Sequence, residues 1–415
     1  MNSKWQHFYQ KTYQERLALI AEAADLTAKE VNQLATQNSP ANNQLIENFV
    51  SDYPLPSGVA TNLVINGKTY LVPMVTEEPS VIAAASNGSQ MLAVNGISAR
   101  VISRLIDGQI ILKGANFDQL ETFVTANRQQ LFEVANQSHP SVLKHGGGAQ
   151  RVAIRKLSTQ FTSIDLSVDP GEAMGANLVN TMLEAVSGWL KDQLAVNVTM
   201  AILTNFAADS LVTVSGLVSF EQLAKGSLSG KAVAQRIADA SQVAQLDPRR
   251  ATTHNKGIMN GIDAAAVAFG NDWRAIESAV HAYAARSGQY RGLSQWQVSD
   301  RGLAGKLTLP IPIGFVGGAT SVFPLAKINQ RIAKLTSAGE EMQLLAAIGL
   351  AQNLAALKAL VTEGIQRGHM SLQLKSLAMA NGATESELPQ VVAELKKVAH
   401  ASAGDVKQIL KQLRR

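Results

Sequence analysis

A chain of 415 residues is too long for one ordinary core and calls for two or three domains. Hydrophobic residues at 46% and charged residues at 17% supply a buried interior and give no compositional case for disorder. The formal charge of +5 comes from basic residues that are dispersed, apart from a cluster in the last twenty or so, with no basic stripe interleaved with aromatics; anionic small ligands suit it better than nucleic acid. Cysteine is absent, which excludes disulfides, thiolate metal sites and a cysteine nucleophile, and the seven histidines contain no HExxH-like pair, so no metal is expected.

The opening stretch, MNSKWQHFYQKTYQERL, is polar and lacks the apolar run of a signal peptide, so a cytoplasmic protein is expected. Thr27-Ala-Lys-Glu30 has the form of a capping box at the start of a short amphipathic helix. Two turn pairs, Asn66-Gly67 and Asp107-Gly108, lie between strand-like runs and predict hairpins. Between them Pro79 opens a helix into SVIAAAS. Gly146 to Gly148 predict a tight or flexible turn, as do Gly317-Gly318. From Arg151 to Phe220 the β-branched runs RVAIRKL, FTSIDLSV, NVTMAIL and LVTVSGLV are broken by one helix from Ala173 to about Leu190. Strands and helices do not alternate strictly, which favours an α+β arrangement over a doubly wound parallel sheet. From Ala264 onward helical periodicity dominates, apart from KLTLPIPIGFVGGAT. The apolar stretch from Leu344 to Val361 is interrupted by Gln352, Asn353 and Lys358, so a buried core helix is expected and no membrane span. Thr384 with Glu387 and Ser402 with Asp405 predict two further helix starts.

Four segments place an ionisable residue among small or apolar neighbours, a setting associated with shifted pKa values and acid-base work: PMVTEEPSVIAAAS around Glu78, RRATTHNKGIMNGID around Lys256, GNDWRA around Asp272 and EGIQRGHM around His369. Taken singly, each has a plain structural explanation, such as a helix-start carboxylate for Glu78 or a dipole partner for Asp272. Taken together with IENFV near Glu47 and GLAQNL, they occur in the order found in the soluble bacterial class of hydroxymethylglutaryl-CoA (HMG-CoA) reductases, which this sequence resembles from about Glu47 to Met370.

The resemblance implies an α+β fold: a large helix-rich substrate domain from residues 1–102 and 209–365, an inserted small ferredoxin-like cofactor domain at 103–208 that is not of the Rossmann type, and a C-terminal helical flap at 366–415. It implies reduction of HMG-CoA to mevalonate and CoA in two hydride transfers, with HMG-CoA, mevalonate and CoA as ligands. The site would lie at a homodimer interface, any higher assembly being left open. By the same resemblance Lys256 stabilises the developing oxyanion, Glu78 donates a proton in the aldehyde step, and Asp272 converges with both. His369 protonates the departing thiolate, and Ser80, Arg250, Thr253 and Asn353 bind the substrate. For Glu78 the helix start and Lys256 favour the ionised form, against burial and the Asp272 charge. No GxGxxG follows a strand; the dinucleotide is expected on Glu172, Met174, Gly175 and Asn177, with Asn205 and His139. The family commonly carries aspartate at the position of Glu172. His139 stands where NADH-preferring members can carry a carboxylate, so the expected cofactor is NADPH in preference to NADH. Oxidation of mevalonate in the reverse direction and a non-catalytic acyl-CoA-binding role are the alternatives.

Overall fold

The computed structural model describes residues 3–364, 374–398 and 401–414, which fall into two compact units, Met1–Pro56 and Ser57–Arg415. The first unit holds α1 (Tyr13–Ala23), α2 (Ala28–Thr36) and α3 (Pro40–Leu45). Thr12 with Glu15 and Thr27 with Glu30 form complete capping boxes, and Ser39 caps α3 ahead of Pro40. Arg16 is the buried cation of this unit: its guanidinium donates to the carbonyls of Phe49 (3.3 Å) and Lys11 (2.9 Å) and to Asn43 Oδ1 (2.5 Å). It thereby fastens the IENFV string to α1.

The second unit begins with β1 (Ser57–Ile65), β2 (Lys68–Val75), α4 (Pro79–Ala93) and β3 (Ile97–Val101). The first two strands form the expected hairpin, with Asn66 at φ 49° and Gly67 at φ 80°. There follow β4 (Ile106–Lys113), α5 (Phe117–Ala126), α6 (Arg128–Ser138), α7 (Ser141–Lys144), β5 (Gly148–Lys156), β6 (Phe161–Asp169), α8 (Ala176–Gln193) and β7 (Asn197–Leu203). Asp107-Gly108, read as a hairpin turn, instead lies inside β4. A Cβ at Gly108 would stand 2.2 Å from Leu183 and 2.8 Å from Val179, so this glycine serves the close approach of α8 to the strand.

The chain then gives β8 (Leu211–Val218), α9 (Phe220–Leu223), α10 (Gly230–Leu246), α11 (Pro248–Ala268), α12 (Trp273–Ala284), β9 (Ser294–Ser299), β10 (Gly302–Pro310), α13 (Gly318–Val322), α14 (Pro324–Ile332) and α15 (Ala338–Val361). Two sheets result. One has six strands in the order β2-β1-β3-β8-β10-β9; the other is antiparallel, in the order β5-β6-β4-β7. Its β-α-β-β-α-β sequence and order make the smaller lobe a ferredoxin-like split sheet, with α8 burying Val179, Met182, Leu183, Val186 and Leu190 on it. The chain crosses between the sheets twice, and the crossings run side by side: Leu211 N donates to Ser103 O (2.8 Å), Leu105 N to Asp209 O (3.1 Å) and Thr204 N to Asp107 O (2.9 Å).

In the larger lobe α15 is buried along most of its length, from Ala338 through Leu357, which makes it a core helix as its composition suggested. Gly88 lets α4 lie directly on it: a Cβ there would fall 1.9 Å from the carbonyl oxygen of Ala351. Toward the C-terminus, the helical stretch α16 (residues 374–380) ends at Asn381-Gly382, with Gly382 at φ 90°, and is followed by α17 (Leu388–Leu395) and α18 (Ala403–Leu413). Ser402 and Asp405 form the expected capping box. Thr384 and Glu387 pair as expected, but they close a turn that precedes α17, which starts one residue after Glu387. These helices share a small core of Leu374, Ala378, Val391, Leu395, Val406 and Leu410.

Candidate active site

Two helix starts and one helix face build the charged part of the site. Glu78 precedes Pro79, which holds it in an extended conformation (φ −91°, ψ 115°) at the N-cap of α4. Its carboxylate is not used to cap the helix and accepts a hydrogen bond from Ser80 Oγ. Along α11 the residues Ala251, His254, Asn255, Ile258, Met259 and Ile262 are buried, which leaves Arg250, Thr253 and Lys256, spaced by three, on another side. Thr253 and Lys256 are exposed and Arg250 is half-buried. Lys256 Nζ stands 3.9 Å from Glu78 Oε2, with 64% of the lysine side chain and 36% of the glutamate exposed. Such a pair is loose enough for a polar ligand atom to reach both groups. Arg250 makes no hydrogen bond or ion pair with the described residues, and burial lowers its pKa without removing its charge.

Asp272 is the N-cap of α12 and accepts from the amides of Arg274 (3.0 Å) and Ala275 (3.3 Å), and from Arg274 Nε (3.0 Å) and Nη2 (3.2 Å). Burial pushes its carboxyl up, but the Arg274 guanidinium and the two amides outweigh it and hold the pKa below the ordinary carboxylate value. Among the described residues its ion-pair partner is Arg274 and not Lys256. Asp272 thus contacts its own helix, and among the described residues no ion pair joins it to Glu78 and Lys256.

Asp272 does line a cavity of about 710 Å3. The opposite wall is the turn from Ala173 through Leu178, so His139, Met174, Gly175 and Asn177 all reach the cavity that Asp272 enters. Gly175 sits at φ 99° at the N-cap of α8, a conformation that places the chain against Pro170. His139 Nδ1 lies 3.0 Å from Ser141 Oγ. The cavity also takes in Trp273, Arg274, Gly314 and the Gly317-Gly318 turn. These five positions were not among the expected site residues, although the strings GNDWRA and GFVGGAT that contain them stood out in the sequence.

Three expected site residues go elsewhere. Glu172 Oε2 accepts from the amide of Ala338 (2.6 Å), the first residue of α15, and its carbonyl accepts from Phe315 N (2.8 Å), so it is engaged behind the cavity wall. Asn205 is exposed on the crossing after β7 and does not line the cavity. Asn353 is 1% exposed: its Oδ1 accepts from Ser294 Oγ and Trp296 Nε1, both at 2.8 Å, in a buried network with His254. Burial, with the Arg250 charge adding to it, lowers the His254 imidazole to about 4, so this network is neutral. The Asn353 carbonyl is thus committed to two donors inside the core. His369 lies outside the described residues.

The profile of hydroxymethylglutaryl-coenzyme A reductase matches residues 12–374. The 3-hydroxy-3-methylglutaryl-coenzyme A reductase of Archaeoglobus fulgidus is 40% identical over 422 residues, covering 100% of this chain and 95% of that one. The probable enzyme of that name from Borreliella burgdorferi is 30% identical, covering 89% of this chain and 86% of that one. Among solved structures, the class II 3-hydroxy-3-methylglutaryl-CoA reductase from Streptococcus pneumoniae, bound to NADPH in open conformations, superposes with a TM-score of 0.76 at 43% identity, covering 98% of this chain and 100% of that one. A mixed α+β chain with a split-sheet lobe beside a charged cleft, and with such relatives, is an oxidoreductase. It belongs to the hydroxymethylglutaryl-coenzyme A reductase family, in its class II form.

Proposed function

We propose that the protein reduces HMG-CoA to mevalonate and CoA in two successive steps, drawing on NADPH in preference to NADH. The observation that carries this reading is the Lys256 ammonium facing the Glu78 carboxyl at 3.9 Å on the exposed side of α11. A carbonyl accepting hydride gathers negative charge on its oxygen, and a fixed cation beside it is worth about 3 kcal/mol in the transition state. Lys256 takes that part. Glu78, hydrogen-bonded by Ser80, delivers the proton that turns the second oxyanion into the alcohol. Arg250, whose guanidinium has no partner among the described residues, takes the substrate carboxylate in a two-pronged hydrogen bond, assisted by Ser80 and Thr253. His369 protonates the thiolate leaving in the first step.

We assign the dinucleotide to this cavity, whose volume of about 710 Å3 lies within the range of about 300–1,000 Å3 common to small-ligand sites. When bound, the cofactor supplies hydride. Met174, Gly175 and Asn177 form one side of its cradle, and Asp272 holds Arg274 at the other. His139 carries no anionic group to repel a 2′-phosphate. We further propose residues 1–102 and 209–365 as the substrate domain, 103–208 as the cofactor domain, 366–415 as the flap, a cytoplasmic location, and a homodimer that covers the open side of Lys256.

The test is the loss of nicotinamide absorbance on adding HMG-CoA, measured with each cofactor. Turnover with a higher kcat/KM for NADPH is expected. No turnover with either cofactor overturns the activity, and a strong preference for NADH overturns the cofactor choice. His369→Gln should slow thioester reduction far more than reduction of free mevaldehyde; equal losses on both would remove His369 from the leaving-group step.

A further inference from the structure

The walls of the cavity belong to different lobes, yet they are tied together from behind. Arg104 lies in the first crossing between the sheets, between β3 and β4. Its Nη1 donates to the carbonyl of Gly171, and its Nη2 reaches the carbonyls of Ala173 (3.5 Å) and Ile313 (3.3 Å). Gly171 and Ala173 lead directly into the turn Met174–Asn177 of the smaller lobe. Ile313 leads into Gly314–Gly318 of the larger one. One planar cation thus engages the strands of chain that become both walls. The approach is close: a Cβ on Gly314 would stand 2.4 Å from Met174 N.

Supporting contacts follow the same line. Phe315 N and Val316 N donate to the Glu172 carbonyl at 2.8 and 3.3 Å, and the Glu172 carboxylate holds the first amide of α15. Gly314 N donates to Asn271 Oδ1 (3.0 Å), next to Asp272. Burial disfavours the Arg104 cation, while the charges of Glu172 and Asp169, and that of Glu341 once it ionises, favour it. Arg104, Asp169, Glu172 and Glu341 do not line the cavity proposed for the dinucleotide; they act on it through the backbone that they hold, of which Asn271, Gly314 and Val316 are lining residues.

We propose that Arg104 is a positioning residue that sets the separation of the two cavity walls, and so the fit of the nicotinamide dinucleotide between the turn Met174–Asn177 and Asp272. The inference rests on the assignment of this cavity to the dinucleotide. Lysine carries three donors on one compact ammonium and lacks the planar fork that spans carbonyls lying apart, so it bridges the two walls less well. Methionine removes the bridge and keeps the bulk.

Wild-type protein, Arg104→Lys and Arg104→Met are compared by fluorescence titration with NADPH and with NADH, by steady-state kinetics, and by hydrogen exchange. For Arg104→Met, the loss of one net hydrogen bond corresponds to a rise in Kd of about 10-fold. That rise should be equal for the two dinucleotides, with kcat at saturation little changed and with faster exchange confined to the peptides around 171–177 and 313–318. Arg104→Lys should fall between methionine and wild type, and it serves as the variant of record if Arg104→Met does not fold. A Kd unchanged for both dinucleotides overturns the proposal. A change for only one of them also overturns it, since it would mark Arg104 as a direct contact. If the wild type binds neither dinucleotide, the assignment of the cavity is what fails. Exchange alone then decides for Arg104: faster exchange in both wall peptides supports the clamp, and unchanged exchange sinks it.

Discussion

Replacing Gly88 by alanine sets two effects of opposite sign against each other. In the middle of a helix the change favours the folded state by about 1 kcal/mol, because glycine loses more backbone freedom on folding. The added Cβ, however, falls 2.5 Å from the carbonyl carbon of Ala351 and 1.9 Å from its oxygen, the latter more than 1 Å inside any contact that real side chains show. That carbonyl belongs to the interior of α15 and cannot turn aside, so α4 must slide off its neighbour. Overpacking of this kind costs about 1–3 kcal/mol. With so large an overlap the upper end applies, leaving a net loss of about 2 kcal/mol, or about 30-fold in the folding equilibrium. Urea unfolding followed by circular dichroism should show a lower midpoint with an unchanged slope. The same slide carries Glu78, at the N-cap of α4, away from Lys256, so turnover should fall while the affinity for cofactor holds. A Gly88→Ala protein that unfolds at or above the wild-type midpoint would refute the reasoning.

Three further outcomes follow from the geometry. Lys256→Met should lower kcat by about 10²–10³-fold with little change in unfolding, because that side chain is 64% exposed; a loss under tenfold would take the oxyanion role from it. Asn353→Leu should destabilise the fold, since the buried Trp296 N–H and the Ser294 hydroxyl each lose their acceptor at about 1–3 kcal/mol per orphaned group; a raised KM for HMG-CoA with normal stability would return Asn353 to the substrate. Glu341 is fully buried, and burial, against hydrogen bonds from Gln330 and Asn271 and the Arg104 charge, pushes its carboxyl up to about 8. The folded state therefore keeps a proton that the unfolded chain releases near 4.5, so this group's stabilisation is complete below that value and is lost as pH rises toward 8. Glu341→Gln should flatten the decline of the urea midpoint between about pH 5.5 and 8.5, and an identical decline would count against a buried neutral Glu341.

Signals carried within a few residues were legible in the sequence. Thr27 with Glu30, Asn66-Gly67, Pro79 and Ser402 with Asp405 each specify a turn or helix start by local hydrogen bonds or a fixed φ, and the structure has all of them. Signals that need a partner from elsewhere were not. Asp107-Gly108 has the composition of a turn, but its glycine answers to Val179 and Leu183 across the lobe. Asn353 matched a site position, while the need for its carbonyl comes from Trp296 and Ser294, more than fifty residues away. Glu172 sits one residue before the cavity-lining turn, and whether its carboxylate faces the cavity or the start of α15 is decided by how the lobes meet. The face of α11 was partly readable, because the apolar spacing that buries Ile258 and Ile262 leaves Lys256 outward.

The paired crossings between the sheets bear on how the chain reaches this structure during synthesis. Val101 in β3 pairs with Val212 in β8 across an excursion of about 110 residues, a closure that would be slow if the intervening chain were loose. A split-sheet lobe that has already formed brings its own entrance and exit into register, which turns a remote encounter into a neighbouring one. Assembly in that order lets the inserted lobe collapse before β8 is made and act as the template on which the central strands of the larger sheet are joined.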